Sequence, residues 1–95
     1  MPEPRASRET TIERDLVTWA EQNGWLVRKL TGKRGDPDRM FLRGGFVVFM
    51  ELKRPGNEAR KLQRFVHNKY MAAGHPVHIV DNVEQGQRIL QRVFP

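Results

Sequence analysis

Gly44-Gly45 sits between two β-prone runs, Asp38 to Arg43 and Phe46 to Lys53, and no other feature restricts the folding of the chain as tightly. A Gly-Gly pair accepts the two positive-φ positions of a type I′ turn, the short connection that joins antiparallel strands without splaying them. A two-residue loop also fixes the register: Arg43 faces Phe46, Leu42 faces Val47, Met40 faces Phe49 and Asp38 faces Glu51. Directly opposed residues share a face with Cβ atoms about 4.5 to 5.5 Å apart, and like charges so placed repel. The two acids therefore need a compensating charge. A divalent cation such as Mg²⁺ supplies it, because hard ions take carboxylate oxygens together with water and phosphate. Lys53, on the same face as Glu51, adds a second cation. Each acid also has a plainer reading, Asp38 as a turn cap after Pro37 and Glu51 as a surface bridge to Lys53 or Arg39. Against these stands the run Phe46 to Met50, whose unbroken apolar character implies burial on both faces of the strand. Charges at the end of a core strand need a reason. A three-residue loop would instead move Glu51 away from Asp38.

The remaining elements follow from periodicity. Residues 10 to 22 carry Ile12, Leu16, Trp19 and Ala20 on one helical face, with Gly24 as a stop signal. Trp25 to Leu30 reads as a strand, followed by the basic turn Thr31-Gly32-Lys33-Arg34-Gly35. Arg54-Pro55-Gly56 breaks the chain. Asn57 can then cap a helix whose apolar stripe is Leu62, Phe65, Val66, Tyr70 and Ala73, ended by Gly74. Val77 to Val80 is a short strand, and Val83 to Val93 places Ile89, Leu90 and Val93 at helical spacing. The order α, β, β, β, α, β, α predicts an α/β fold in which the last strand returns by a right-handed crossover, parallel to its neighbour in a mixed sheet.

With 95 residues there is room for one domain, expected over residues 10–95 behind a tail at 1–9. The chain carries a formal charge of +6, and eleven of its 17 basic residues lie between residues 25 and 64. Spread over several elements, they read as one basic surface, for which a polyanion such as nucleic acid is the default partner and a plain solvated face the alternative. There is no cysteine, which removes disulfide frameworks, thiol catalysis and cysteine-built zinc sites and fits a reducing cytoplasm. No apolar run approaches the roughly 20 residues of a membrane span, so no membrane is expected. The histidines read as structural: His75 and His78 flank a strand start with no acid cluster beside them.

Several of these residues together resemble a known family. Gly35-x-Pro37-Asp38, Glu51-Leu52-Lys53-x-Pro55, Gln63 early in the following helix and Ala73-Gly74-x-Pro76-Val77 are similar, in that order, to the VRR-NUC domain of the PD-(D/E)xK nuclease superfamily in its minimal stand-alone form. The resemblance spans roughly residues 10 to 92. It implies a restriction-endonuclease-like αβββαβ core, with a mixed sheet flanked by helices, and an endonuclease that hydrolyses DNA phosphodiester bonds with Mg²⁺, or Mn²⁺ in its place. In such an enzyme Asp38, Glu51 and the Leu52 backbone carbonyl would hold the metal, Lys53 would serve the nucleophile and the transition-state charge, and Gln63 would orient water or phosphate. Related nucleases add a glutamate from the first helix. Glu13 matches that position and Glu9 is the fallback. Thr10-x-x-Glu13 can alternatively be a capping box. Where relatives often carry tryptophan, this chain has Val66.

The resemblance further implies a homodimer acting on branched DNA such as four-way junctions, with no small-molecule cofactor. Lys33, Arg34, Arg54 and Arg60 flank the expected site and are candidates for phosphate contacts. The rival reading is a nucleic-acid binding module without catalysis, which the basic charge fits equally well. It gives no reason for Asp38 and Glu51 to be acids, because carboxylates facing phosphate weaken binding. A thinner reading is a protein-interaction domain using Trp19 or Trp25.

Overall fold

A computed structural model describes residues 5–95, in the order α1 (Arg5–Gln22), β1 (Leu26–Lys29), β2 (Arg39–Arg43), β3 (Phe46–Leu52), α2 (Lys61–Ala72), β4 (Val77–Val80) and α3 (Val83–Val93). The four strands form one sheet in the order β1-β2-β3-β4. The first three are antiparallel, and β4 runs parallel to β3 after the α2 crossover. The mixed α/β architecture is the one that the element order predicts.

The β2–β3 hairpin has the expected register, with Arg43 opposite Phe46, Leu42 opposite Val47 and Met40 opposite Phe49. Gly44 and Gly45 take φ of 57° and 85°, the paired positive values that the two-residue turn demands. The ring of Phe94 lies against Gly44, where a Cβ would collide with it. Beside it the Arg43 guanidinium sits 4.0 Å from the centre of the Phe94 ring.

The two faces of the sheet are covered differently. On one, α1 and α3 enclose the core, in which Leu16, Phe41, Met50, Leu52, Val80 and Leu90 are essentially inaccessible. Burying each such side chain stabilises the fold by about 1.5 to 3 kcal/mol. On the other, α2 packs over the end of β3, with Tyr70 edge-on to Phe49 at a centroid distance of 5.0 Å.

The starts of two helices and one helix face differ from the sequence expectation. Helix α1 begins by Arg5, so residues 5 to 9 of the expected tail are helical, and residues 1 to 4 lie outside the described part. Thr10 is therefore inside the helix, and Thr10-x-x-Glu13 is not a capping box at its start. Helix α2 begins at Lys61, and Asn57 instead closes a turn by donating its N–H to the Arg54 carbonyl at 3.0 Å. The Gln63 side chain does the capping, accepting the Arg60 N–H at 2.8 Å. Leu62 and Phe65, expected in the core, are 46% and 59% exposed. The inward side of α2 is occupied by Gln63, His67 and Tyr70, because the stretch of sheet beneath it carries polar groups.

Candidate active site

Asp38 and Glu51 meet at the end of the hairpin, though not as a regular ladder pair. The β2–β3 ladder stops at Arg39 opposite Met50. One residue earlier, the Asp38 N–H donates to the carbonyl of the same Met50 at 3.1 Å, as at a β-bulge, an irregularity that re-aims a side chain. The freed Asp38 carboxylate accepts the Leu52 N–H at 2.8 Å. Register thus delivers the acid to the neighbourhood of Glu51, and the bulge turns it across the end of β3.

Glu51 is 2% exposed. Burial, and then the charge of Asp38, push its pKa up to about 7, while Lys53 pulls the other way. One carboxylate oxygen, Oε2, accepts Gln63 Nε2–H at 2.8 Å and lies 3.4 Å from Lys53 Nζ. The Lys53 ammonium donates to Gln63 Oε1 at 2.9 Å. Gln63 therefore bridges Glu51 and Lys53 while capping its own helix. The other carboxylate oxygen, Oε1, is buried without a hydrogen-bond partner and faces His67 Nε2 at 3.6 Å.

The Leu52 carbonyl can be oriented from its peptide. Lys53 donates its N–H to Val80 of β4 at 2.9 Å, and no peptide bond among the described residues is cis. In a trans peptide the carbonyl points opposite to the N–H. The Leu52 oxygen is thus directed away from β4, toward the side where Asp38 ends the neighbouring strand.

Glu13 is not brought to this pair. Its Oε2 accepts Arg39 Nε–H at 2.7 Å, both side chains being about one-fifth exposed. The ion pair belongs to the α1 side of the sheet, whereas Glu51 faces α2. Glu9 lies one turn earlier on α1, half-buried. Among the described residues no three Asp, Glu, His or Cys side chains converge closely enough to hold a metal ion by themselves. A cation here would rest on two carboxylates and a carbonyl, completed by water and phosphate oxygens. That donor set suits Mg²⁺, which keeps several waters, better than a closed zinc site. The unpartnered Glu51 Oε1 and the raised Glu51 pKa both mark a place where positive charge is wanted.

The four expected phosphate contacts are accessible to solvent. Arg60 is exposed at the start of α2, and Arg54 is half-exposed just beyond Lys53. Lys33 and Arg34 are exposed on a loop that Asp36 ties down, accepting the Lys33 N–H at 3.1 Å and the Tyr70 hydroxyl at 3.2 Å. Burial and the neighbouring Asp36 raise the Tyr70 pKa. Gly35 lets this loop lie directly on α2: its φ is 88°, and a Cβ there would stand 2.7 Å from Val66 Cγ2. Val66 thus lies against the loop. His75 and His78 keep to the packing, His75 against the Phe49 ring at 5.9 Å and His78 with its pKa lowered by burial and then by Arg92. His67 was open to detection, since it follows Gln63 by four residues and so shares its helix face.

Comparison with known proteins agrees with this geometry. No domain-family profile matches the chain. The chain is similar to the protein named "Putative nuclease p44" of Acyrthosiphon pisum secondary endosymbiont phage 1, with 36% identity over 81 residues, which cover 82% of this chain and 87% of that protein. Among solved structures it superposes on one titled "VRR_NUC domain" with a TM-score of 0.80 and 26% identity, covering 88% of this chain and 95% of the other. The carboxylate pair, the following lysine and the shared fold over nearly the full length place the chain in the VRR_NUC nuclease family.

Proposed function

We propose that the protein is a Mg²⁺-dependent endonuclease, able to use Mn²⁺, that hydrolyses DNA phosphodiester bonds at the Asp38–Glu51 site. The observation that carries this reading is the buried Glu51 carboxylate, set against Asp38 and left with one oxygen unpartnered. Two carboxylates and the Leu52 carbonyl would hold the cation, which when bound supplies charge for the phosphate oxygens and an acidified water. Asp38 is kept in position by the Leu52 N–H. Lys53 carries the ammonium nearest the carboxylates, where it can neutralise charge that develops on a reacting phosphate and orient the attacking water. Gln63 holds Glu51 and Lys53 in register with each other. Glu13 fixes Arg39 beside Asp38, and any part it takes in the site passes through that arginine. Lys33, Arg34, Arg54 and Arg60 bind backbone phosphates.

The same reading extends to a homodimer acting on branched DNA such as four-way junctions, in the cytoplasm of a bacterial or phage-infected cell and in the service of repair or replication. A domain this small covers one strand of a duplex more naturally than two, and the phage origin of the p44 relative is consistent with that setting. Cleavage of matched junction, flap and linear DNA, with Mg²⁺ or Mn²⁺ against chelator, tests the proposal. Metal-dependent cutting that is fastest on the junction supports it, and binding without cutting in every arm would return the chain to the class of non-catalytic nucleic-acid modules. Sedimentation of the active form as a monomer at micromolar concentration would remove the dimer.

A further inference from the structure

The chemistry above uses Glu51 Oε1 but gives no part to His67 Nε2, which faces it. Both atoms are buried, neither has a hydrogen-bond partner among the described residues, and they face each other at 3.6 Å. Leaving a buried polar group without a partner costs about 1 to 3 kcal/mol, and an apolar side chain at residue 67 would avoid that cost. Nothing about helix formation requires histidine there. Its place does follow a pattern, because His67 comes four residues after Gln63 and lies on the same inward side of α2, so that one helix addresses both oxygens of one carboxylate. Gln63 holds Oε2 at 2.8 Å, and a closure of about 0.8 Å would bring His67 Nε2 to the same distance from Oε1.

We infer that His67 is a positioning residue that orients Glu51 for the cation by donating its Nε2–H to Oε1. The inference rests on the reading of Glu51 as a metal ligand. A carboxylate oxygen has two lone-pair directions, so one can accept from the imidazole while the other is left for the ion. Hydrogen bonds from outside a metal's own ligands fix their orientation, and losing one typically lowers metal affinity or activity by about 10- to 100-fold. His67 itself is not a ligand in this account.

The test uses the full chain with Mn²⁺ alone as the probe, its affinity read by electron paramagnetic resonance and its thermal midpoint taken separately in chelator. His67→Leu fills the space without a donor, and His67→Gln restores an N–H. The expected result is a His67→Leu protein at least as stable as wild type in chelator whose Mn²⁺ dissociation constant rises about 10- to 100-fold, with most of the affinity recovered in His67→Gln. Unchanged Mn²⁺ affinity in a folded His67→Leu protein would overturn the inference. If His67→Leu does not fold, a natively stable His67→Gln protein that has lost tenfold or more in affinity would overturn it equally, since the ring and not its N–H would then be required. Asp38→Asn and Glu51→Gln run in the same titration separate the two levels. Wild-type affinity in both would remove the metal reading of the site, whereas lost affinity in both with an indifferent His67→Leu would remove only the role of His67.

Discussion

Glu51 is the residue on which the site turns, because the fold buries it beside another acid. Its pKa rises from 4.5 in the unfolded reference to about 7, so across that interval the folded chain holds a proton that the unfolded chain has released. Stability therefore includes the full contribution of this group below about pH 4.5, loses it as pH rises toward 7, and levels off above. The shift amounts to at most about 3 kcal/mol. In metal-free protein Glu51→Gln should remove this loss, matching wild type near pH 4.5 and exceeding it in urea midpoint near pH 8. A variant less stable than wild type at the higher pH would contradict the account of why Glu51 is strained. The meeting of Asp38 and Glu51 was legible in the sequence, since a two-residue turn leaves one register. The bulge at Asp38 was not. It depends on the Leu52 N–H being free to donate to the carboxylate, a detail of the end of the ladder that no residue type announces.

At the level of elements, the strands read more clearly than the helices. Gly44-Gly45 and the run Phe46 to Met50 state their geometry directly. Helix α2 does not, because a search for apolar periodicity selects Leu62 and Phe65, while the helix turns Gln63, His67 and Tyr70 inward to meet Glu51 and the Asp36 loop. A helix that serves a polar site breaks the apolar-inside rule where the site is. Glu13 shows the converse: its position on α1 matches the family pattern, yet the cation it meets is Arg39, which only the folded sheet presents to it. The contact between the basic loop and α2 carries its own prediction. Gly35→Ala must accept a left-handed φ and displace Val66, at a cost of about 1 to 3 kcal/mol, and should shift the loop bearing Lys33 and Arg34. Urea unfolding and DNA affinity at fixed salt should both report the change. A variant indistinguishable from wild type in both would show that the loop does not depend on this contact.

Across the whole molecule, the proposed function gives the excess positive charge and the few acids separate tasks. Eleven of 17 basic residues fall in the segment that builds the site, and the acids within it include the pair that holds the cation in this account. Replacing Lys33, Arg34, Arg54 or Arg60 by alanine should weaken DNA binding equally for unrelated sequences. Each lost phosphate contact should flatten the dependence of log affinity on log salt by about 0.9 for duplex DNA. An unchanged slope after all four substitutions would place the binding surface elsewhere. The central claim, that this fold cuts DNA through a cation held by Asp38 and Glu51, is met most directly by one measurement: nicking of supercoiled plasmid across a Mg²⁺ titration by wild type and Asp38→Asn, with plasmid binding by both recorded in chelator. The account predicts metal-dependent nicking by wild type, none by Asp38→Asn, and binding by both. Equal nicking by the two proteins, or nicking by wild type that persists in chelator, would contradict it.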